Sequence, residues 1–429
     1  MQKPRQIAAR ILQRRETGGE FIEHLLDEEL AGNALTGPDR ALCAELVCGC
    51  VRWQRTLDHL ISLKTGGREQ KPVLQNLLCL GLYQIFWLDR IPDHAAVNET
   101  VELAKKSGFE RQAGFVNAIL RGYLREADTT RALLAELKKT RPALGWSHPD
   151  WLVERWQKQF GPEHTAQLLE WNNTPPRTFA RVNTLKTDVD SLLEKWRAEN
   201  VAFDSVSRDW FGENLVFELK SPPPLASLAS FRDGWFYLQD PSTLLAAREL
   251  APEPGQTVLD LCAAPGGKTT FIAQLMRDEG RIVACDVSGD RLNLIRENCA
   301  RLGIKSVEAS LALVLNFQPA SFDRILIDAP CSNTGVMRRR VDLRWRVTAE
   351  EIARLQGTQL DLLRRAAPLL KPGGVLVHST CSLEPEENGD VVRAFLREHA
   401  DFRLESERQL TPFADNVDGA FVARLMRMS

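Results

Sequence analysis

The sequence predicts a multidomain protein with an all-α first third, a small α+β middle section and a doubly wound α/β domain at the carboxyl end. Its 429 residues are too many for one compact core, so two or three domains are expected. Roughly the first 140 residues show helical periodicity with almost no strand pattern. After Pro254 and Gly255, strand-like runs alternate with amphipathic helices, which indicates a mostly parallel sheet.

Helical patterns cover the amino-terminal part, for example in Arg40–Leu60 and Val97–Leu124. They predict a helical domain over residues 1–145, with a linker at Gly145–Pro149.

The first fifteen residues, Met1–Arg15, carry five basic side chains, with Ile7 and Ile11 on one helical face. Such a segment is typical either of a transit peptide or of an amphipathic first helix of the fold. No apolar core or cleavage pattern follows it, so we favour the helix and expect no secretory signal.

The middle section, residues 146–240, mixes both kinds of pattern. A β-like run at Arg177–Thr184 is followed by a helical pattern at Val189–Glu199, and the prolines of Ser221–Pro224 mark a loop. We therefore predict a small α+β module here and assign residues 241–429 to the α/β domain.

The α/β domain is predicted from strand-like runs, each followed by a helical or turn pattern. These runs are Val258–Cys262, Ile282–Asp286, Ile325–Asp328 and Val375–Ser379. Apolar stripes at helical spacing begin at Leu292 and at Ile352, and the Lys371–Gly374 segment should turn from the second helix into the last strand. Asp418-Gly419 is a turn signal before a further strand-like run, Ala420–Met426.

Composition excludes several classes of protein. The formal net charge is −2, so any nucleic-acid contact must come from local basic patches. The longest apolar run, Leu77–Leu88, is shorter than the ~20 residues that span a bilayer, so we expect no membrane partner. The nine cysteines include no Cys-x-x-Cys pair and the seven histidines are not clustered near them. We therefore expect no metal, no disulfide framework, and reduced thiols in the cytoplasm.

The sharpest local motif is Asp260–Thr269, which follows a predicted strand and opens a predicted helix. One interpretation is a P-loop, although Cys262 stands where that motif has its first glycine. The other is a nucleoside-cofactor loop, in which Gly266 and Gly267 allow close approach of the ligand. We favour the cofactor loop because Asp286, about 20 residues beyond the glycines, is placed to bind ribose hydroxyls.

Two cysteines directly follow predicted strands. Cys331 lies in Asp328-Ala329-Pro330-Cys331-Ser332 and Cys381 lies in Thr380-Cys381-Ser382. Ligands of open α/β sheets bind at the carboxyl ends of the strands, so both thiols are candidates for chemistry. Core positions, the usual ones for this residue type, are assigned to Cys43, Cys48, Cys79, Cys262, Cys285 and Cys299.

Together these motifs resemble one known family. The Asp260–Thr269 loop, Asp286, the Asp328–Ser332 segment with Thr334-Gly335, and Thr380–Ser382 with Pro385–Asn388 are similar to the RNA 5-methylcytosine methyltransferases, the NOL1/NOP2/Sun group. The resemblance covers the last ~200 residues of the chain and implies a Rossmann-like class I methyltransferase domain.

The resemblance extends upstream. Arg90–Glu99 and Phe115–Arg121 resemble the NusB-like helical domain of the bacterial 16S ribosomal RNA methyltransferases of this group, and Arg181–Thr184 resembles their middle domain. It implies two RNA-binding modules ahead of the catalytic domain and 16S ribosomal RNA as the partner.

The resemblance also implies roles for individual residues. Cys381 would be the nucleophile that adds to carbon 6 of the cytosine, and Cys331 would assist release of the product. Asp286 would hold the ribose of S-adenosylmethionine, and Asp328 would lie beside this cofactor and the target base. The residues surrounding the methionine part of the cofactor would be Cys262, Ala263, Ala264, Pro265, Gly266, Gly267 and Lys268.

A basic run follows the first cysteine. Arginines at 338, 339, 340, 344 and 346 surround Trp345, a pattern that would suit contact with RNA phosphates and stacking on a base. The alternative is a solvated loop, and the sequence does not choose between them.

One departure from the family concerns the adenine. Its members usually carry an aspartate after the third strand that hydrogen-bonds the adenine, whereas the matching stretch here, Val307–Leu313, has none. Glu308 is a candidate substitute, but its offset does not match. Both cysteines are intact, so we still expect activity.

The sequence therefore predicts transfer of a methyl group from S-adenosylmethionine to carbon 5 of a cytosine in 16S ribosomal RNA through a cysteine adduct. The alternatives are the same chemistry on another RNA such as transfer RNA, a P-loop nucleoside triphosphatase, and a non-catalytic RNA-binding protein. The sequence does not fix which cytosine is modified or whether free ribosomal RNA or an assembling subunit is the substrate. The oligomeric state is not fixed either, although a monomer is favoured.

Overall fold

The computed structural model describes residues 4–33, 35–311 and 317–428. These residues divide into two compact units. The first comprises residues 1–174 and 337–346, and the second comprises residues 175–336 and 347–429. The division at 174–175 lies beyond the expected end of the helical domain at residue 145.

The first unit is helical, as predicted. Its described α-helices are α1 (Pro4–Thr17), α2 (Ile22–Ala31), α3 (Gly37–Arg52), α4 (Gln54–Thr65), α5 (Pro72–Trp87), α6 (Asp93–Lys106), α7 (Ala113–Arg125), α8 (Ala127–Thr140), α9 (Pro142–Gly145) and α10 (Asp150–Asn173). α10 bends at Gly161, where the backbone leaves helical geometry (φ 81°) just before Pro162.

The first helix belongs to the core of this unit. Ile7 and Ile11 of α1 are fully buried among apolar side chains of α3 and α5. The amphipathic-helix interpretation of the amino terminus is thus confirmed for Pro4 onward. Ser147 and His148, in the segment expected to be a linker, are also fully buried.

The second unit begins with a small α+β module, as predicted. Four antiparallel strands, β1 (Thr178–Val182), β2 (Ala202–Val206), β3 (Val216–Lys220) and β4 (Phe236–Leu238), lie in the order β2-β3-β1-β4. They are accompanied by α11 (Val189–Ala198) and α12 (Ala229–Arg232). Trp196 of α11 is fully buried against Phe217 and Phe236 of the sheet, and this aromatic contact anchors the helix to it.

The rest of the second unit is the predicted α/β domain. Its strands are β5 (Thr257–Leu261), β6 (Arg281–Asp286), β7 (Val307–Leu311), β8 (Phe322–Asp328), β9 (Leu370–Thr380), β10 (Phe402–Leu410) and β11 (Ala420–Arg427). Its α-helices are α13 (Leu244–Leu250), α14 (Gly267–Leu275), α15 (Gly289–Leu302), α16 (Ala349–Ala366), α17 (Gly389–Glu398) and α18 (Pro412–Asp415). The Lys371–Gly374 segment lies inside β9 instead of forming a separate turn, because the helical segment already ends at Leu369.

The sheet order explains where a ligand would bind. The strands lie in the order β10-β11-β9-β8-β5-β6-β7, with β9, β8, β5, β6 and β7 parallel. The chain order reverses between β5 and β8, and ligands bind at the carboxyl ends of strands on either side of such a switch point. The glycine loop follows β5, and the two predicted cysteines follow β8 and β9, so the topology gathers them at one edge.

No described helix is both long and apolar enough to cross a membrane.

Candidate active site

The glycine loop leaves β5 with a tight backbone and leads into α14. Cys262 has a positive φ of 61°, and the amide of Ala263 donates a 3.0 Å hydrogen bond to the carbonyl of Cys285 at the end of β6. Gly266 has φ 100°, a conformation that only glycine adopts without strain, and it caps the start of α14 at Gly267. The loop therefore presents backbone groups and a helix start at the switch point.

Asp286 ties the glycine loop to the end of β6. Its carboxylate is only 1% exposed and accepts hydrogen bonds from the amides of Ala264 (3.0 Å) and Val287 (2.8 Å). The guanidinium of Arg291 lies 3.3 Å from the same carboxylate. Asp286 is thus at the predicted edge, where it also holds the loop in place.

Asp260 lies beneath the loop with one carboxylate oxygen unpartnered. Thr269 donates a 2.6 Å hydrogen bond to Oδ2, whereas the buried Oδ1 has no partner among the described residues. Burial raises the pKa of Asp260 to about 7. In this state the carboxyl group of Asp260 can hold a proton, or its Oδ1 can accept a hydrogen bond from a bound ligand.

Lys268 and Asp328 form an ion pair between the glycine loop and β8. The ammonium lies 2.7 Å from Oδ2 of Asp328, and Ser379 donates a 2.9 Å hydrogen bond to Oδ1. Burial lowers the pKa of Lys268, but the charge and hydrogen bond of Asp328 outweigh this effect and raise it. An electrostatic interaction with Cys381 contributes to the raised pKa of Lys268.

The two predicted cysteines meet. Their sulfur atoms are 3.4 Å apart, although the residues are separated by 50 positions in the chain. Cys331 is buried and Cys381 is half-buried, so Cys381 is the more accessible of the two. All nine cysteines are free thiols. The arrangement places two thiols side by side where a substrate ring could contact both.

Asn333 orients this pair. Its Nδ2 donates a 2.6 Å hydrogen bond to the carbonyl of Cys331, and its Oδ1 lies 3.1 Å from the Cys381 sulfur. The hydrogen bond with Cys381, together with burial, raises the pKa of Cys331 well above its ordinary value. Cys331 therefore keeps its proton in the resting site.

Sequence reasoning missed the role of Glu387. This fully buried carboxylate accepts hydrogen bonds from the Ser332 amide (2.8 Å), from the Ser332 hydroxyl, and from the Ser382 hydroxyl (2.5 Å). Each serine follows one of the cysteines, so a single side chain fastens both loops. The only signal in the sequence was its place in the Pro385–Asn388 motif.

Gly335 brings the two loops into close contact. Its amide donates a 2.9 Å hydrogen bond to the carbonyl of Cys381, and its carbonyl accepts one of 2.9 Å from Gly419. A Cβ at this position would lie 2.7 Å from both the Cys381 oxygen and the Gly419 Cα. This crowding explains why the motif after Cys331 contains glycine.

Glu308 does not lie at the cofactor edge. Register pairs Asp286 with Leu311, which places Glu308 three residues away from the carboxyl end of β7. Its side chain is paired with Arg281 at 2.7 Å, so the structure contradicts its use as the missing aspartate. Ala312 and Leu313, the end of the stretch considered for this role, lie outside the described residues. At the edge itself, Val287 and Leu311 are exposed apolar side chains.

Two arginines of the basic run, Arg338 and Arg344, are buried. Arg344 is fully buried in the first unit, where it donates to Asn172 O and Asn173 Oδ1, both at 2.9 Å. Arg338 is 2% exposed and covers the ring of Trp171 at 3.9 Å, and Trp345 donates to Val51 O. Both the RNA-contact and the solvated-loop interpretations are therefore wrong for Arg338 and Arg344, whereas stacking of a base on the half-buried Trp345 stays a prediction.

Comparison with known proteins agrees with the fold. Residues 247–426 match the family described as 16S rRNA methyltransferase RsmB/F. Residues 2–125 match the NusB family, and residues 148–209 match a ferredoxin-like domain of RsmF/B-like methyltransferases. A probable ribosomal RNA small subunit methyltransferase B from Bacillus subtilis (strain 168) is 37% identical over 95% of this chain and 91% of that protein. The chain belongs to the RsmB/F methyltransferase family.

Further relatives agree with this assignment. A probable ribosomal RNA small subunit methyltransferase B from Synechocystis is 38% identical over 95% of this chain and 92% of that protein. The solved structure of a methyltransferase homolog from Pyrococcus horikoshii is 32% identical, with a TM-score of 0.58 over 67% of this chain and 97% of that one. Membership of the RsmB/F family confirms the three predicted kinds of module and contradicts the P-loop nucleoside triphosphatase alternative.

Proposed function

We propose that this RsmB/F family member transfers the methyl group of S-adenosylmethionine to carbon 5 of a cytosine in 16S ribosomal RNA, through a covalent adduct on Cys381. The observation that carries the proposal is the pair of sulfur atoms 3.4 Å apart at the ends of β8 and β9. Carbon 5 of cytosine is too weak a nucleophile to attack a methyl sulfonium directly, and addition of a thiolate to carbon 6 activates it. A second thiol beside the first suits the elimination that must follow.

The residues at the switch point fit the cofactor. Val287 and Leu311 offer exposed apolar surface for the adenine beside Asp286. A carboxylate has about four acceptor sites, of which two backbone amides and the Arg291 guanidinium use three in Asp286, so one remains for a ribose hydroxyl. Asp260 Oδ1 is a buried acceptor without a partner among the described residues, beneath the glycine loop. When bound, S-adenosylmethionine supplies an electrophilic methyl group.

The two cysteines take different roles because their environments differ. Cys381 is the more accessible sulfur and interacts electrostatically with the Lys268 ammonium, so its thiolate is the one that bonds to carbon 6. Its proton is lost to solvent before this addition. Cys331 retains its proton and donates a hydrogen bond toward the Cys381 sulfur.

Elimination then restores both thiols. After carbon 5 has gained the methyl group, the Cys331 proton passes to Cys381 as the carbon–sulfur bond breaks. The carbon 5 proton passes to the Cys331 sulfur, and the ring double bond re-forms. Atoms and charge balance, since one proton has left to solvent for each methyl transferred.

The choice of RNA rests on relatives. Several similar proteins are named ribosomal RNA small subunit methyltransferase B, and the helical part matches the NusB family. We extend that substrate to this chain.

The test is transfer of labelled methyl to unmodified 16S ribosomal RNA by wild type, Cys381→Ala and Cys331→Ala. We expect activity in wild type, none in Cys381→Ala, and in Cys331→Ala an RNA–protein adduct that survives a denaturing gel. Cys299→Ala is a matched control because this thiol lies on α15 away from the pair, and it should retain activity.

Several outcomes would contradict the proposal. Full activity of Cys381→Ala would exclude it as the nucleophile. Transfer to unmodified transfer RNA in preference to 16S ribosomal RNA would exclude the substrate. Absence of transfer by wild type, together with no heat of binding for S-adenosylhomocysteine in calorimetry, would favour the non-catalytic RNA-binding alternative.

A further inference from the structure

The first unit contains a cavity of about 770 Å³ whose wall combines aromatic rings and cations. Its volume lies within the roughly 300–1,000 Å³ typical of small-ligand sites. The rings are those of Trp53, Phe86, Trp87 and Trp146, and the cations are Arg131, Lys138 and Lys139. No aspartate or glutamate is among the described residues that line it.

The rings form a continuous wall. Trp53 is buried, and its ring centroid lies 5.0 Å from that of Trp87 and 6.3 Å from that of Trp146. Trp87 and Trp146 are partly exposed, and both line the cavity.

The cations come from one face of α8. Arg131 and Lys138 are seven residues apart, about two helical turns, and Lys139 is adjacent. The Lys138 ammonium lies 4.2 Å from the centroid of the Trp146 ring and 5.5 Å from that of Trp53. Of the three cations, Arg131 offers the least positive charge to a ligand, because its guanidinium forms an ion pair with Asp128 at 3.4 Å.

We propose that this cavity binds one unpaired nucleotide of the RNA substrate, with its base stacked on the tryptophans and its phosphate beside Lys138 and Lys139. A nucleotide is the ligand whose two halves match the wall, since every base has a flat π-face and every phosphate a negative charge. An acidic peptide would use the cations but would leave the tryptophan faces unmatched. The formal net charge of −2 means that these cations are not part of a generally basic protein.

This inference rests on the proposed function only in taking RNA as the ligand. It concerns a site in the first unit, whereas the two cysteines belong to the second. The two proposals can therefore fail separately.

The experiment measures binding of a fluorescently labelled single-stranded oligoribonucleotide to the full chain by anisotropy, with a duplex of the same sequence for comparison. We expect Trp87→Ala to weaken single-strand binding about tenfold, the effect of losing one base stack. Trp87→Phe keeps a ring and should recover part of that loss. Lys138→Gln should weaken binding and reduce its dependence on salt, because one phosphate contact is removed.

Lys158→Gln is the matched control, since this exposed lysine of α10 does not line the cavity. Lys139→Gln, at an exposed position, covers the case in which Trp87→Ala does not fold. Unchanged single-strand affinity in Trp87→Ala, Lys138→Gln and Lys139→Gln would overturn the site. So would equal weakening by Lys158→Gln, or a concentration-dependent dimer in gel filtration that Trp87→Ala abolishes, which would assign the cavity to a second copy of the chain.

Methyl transfer, measured in parallel, separates the two proposals. In one outcome the wild type transfers no methyl group, but the cavity variants lose single-strand affinity. That outcome would support this site and contradict the proposed function. In the opposite outcome the wild type transfers methyl groups, and the cavity variants keep both their affinity and their KM for RNA. That outcome would support the proposed function and overturn this site.

Discussion

At the scale of single residues, one buried carboxylate aligns the two thiols. Glu387 accepts hydrogen bonds from Ser332 and Ser382, the residues that follow Cys331 and Cys381. Burial raises the pKa of Glu387, and the hydrogen bonds from both serines oppose that effect. The carboxylate is therefore a positioning group for the cysteines, and it does not contact the reacting atoms in our mechanism.

His378 gives a prediction about pH. It is fully buried on β9, where Nε2 lies 3.2 Å from the carbonyl of Glu387 and Nδ1 has no partner among the described residues. Burial lowers its pKa to about 4, and the Glu387 carbonyl and the Asp328 charge only partly oppose this effect. The unfolded chain binds the proton near pH 6.5 and the folded chain does not, so stability falls as pH drops from about 6.5 to 4.

From pH 7 to pH 5, we expect wild type to lose ~2 kcal/mol more unfolding free energy than His378→Gln, which has no imidazole. Urea denaturation of both proteins at both pH values measures the difference. Equal losses in the two proteins would show that His378 does not take up a proton on unfolding in this range.

At the scale of elements, the site depends on how closely two loops approach. The loops after β8 and β9 are joined by the hydrogen bond from Gly335 to Cys381, and Gly335 in turn is bonded to Gly419 ahead of β11. Strand pairing alone sets the spacing of the strands, while these loop contacts set the distance between the sulfur atoms.

Gly335→Ala tests this arrangement. The new methyl group would lie 2.7 Å from backbone atoms of Cys381 and Gly419, so one of the loops must move. We expect destabilisation by ~1–3 kcal/mol, typical of overpacking, and a fall in the rate of RNA-adduct formation. Denaturation and single-turnover assays measure the two effects.

Gly357→Ala is the control. Gly357 lies inside α16, and apart from the backbone of its own helix no described atom is within 4 Å of the place that an alanine methyl group would take. Alanine should therefore stabilise the helix by ~0.5–1 kcal/mol and leave the adduct rate unchanged. Wild-type adduct rates in Gly335→Ala would mean that loop contact does not control the thiol pair.

At the scale of the whole molecule, the chain does not form its compact units from two uninterrupted segments. Residues 337–346 come from the carboxyl-terminal part of the sequence but belong to the first unit, where Val341 is part of the apolar core. Arg344 of this segment is fully buried and donates to the backbone carbonyl of Asn172. Arginine suits such a position because its five donors can satisfy several acceptors at once.

Arg344→Met should therefore destabilise the protein without altering phosphate contacts. The change removes the donor to the buried carbonyl of Asn172 and to the part-buried Oδ1 of Asn173, at a cost of ~3 kcal/mol. Calorimetry should show a lower melting temperature, and RNA affinity measured well below that temperature should keep its wild-type salt dependence.

Arg340→Met at the exposed neighbouring position should change stability by no more than ~0.5 kcal/mol. If the RNA affinity of Arg344→Met depends less on salt than that of wild type, Arg344 contacts an RNA phosphate, as its sequence pattern first suggested.

The sequence by itself determined the features that repeat locally or follow a strand directly. Hydrophobic spacing predicted the helical part, the small α+β module and the alternating strands, because burial of one face imposes that period. Cys331 and Cys381 were found for a related reason: parallel strands end at the same edge, so residues just after β8 and β9 must be neighbours.

Only the tertiary structure decided which distant residues meet. The bridge from Glu387 to both serine hydroxyls, the burial of Arg344 and the tryptophan cavity all join positions that no local pattern relates. The residues next to an arginine in the sequence do not show whether it is exposed or buried. A buried arginine differs in the carbonyl groups that packing brings to its guanidinium. Hydrophobic periodicity records which face of an element is buried, but the partner of each buried polar group is set by the packing of whole elements.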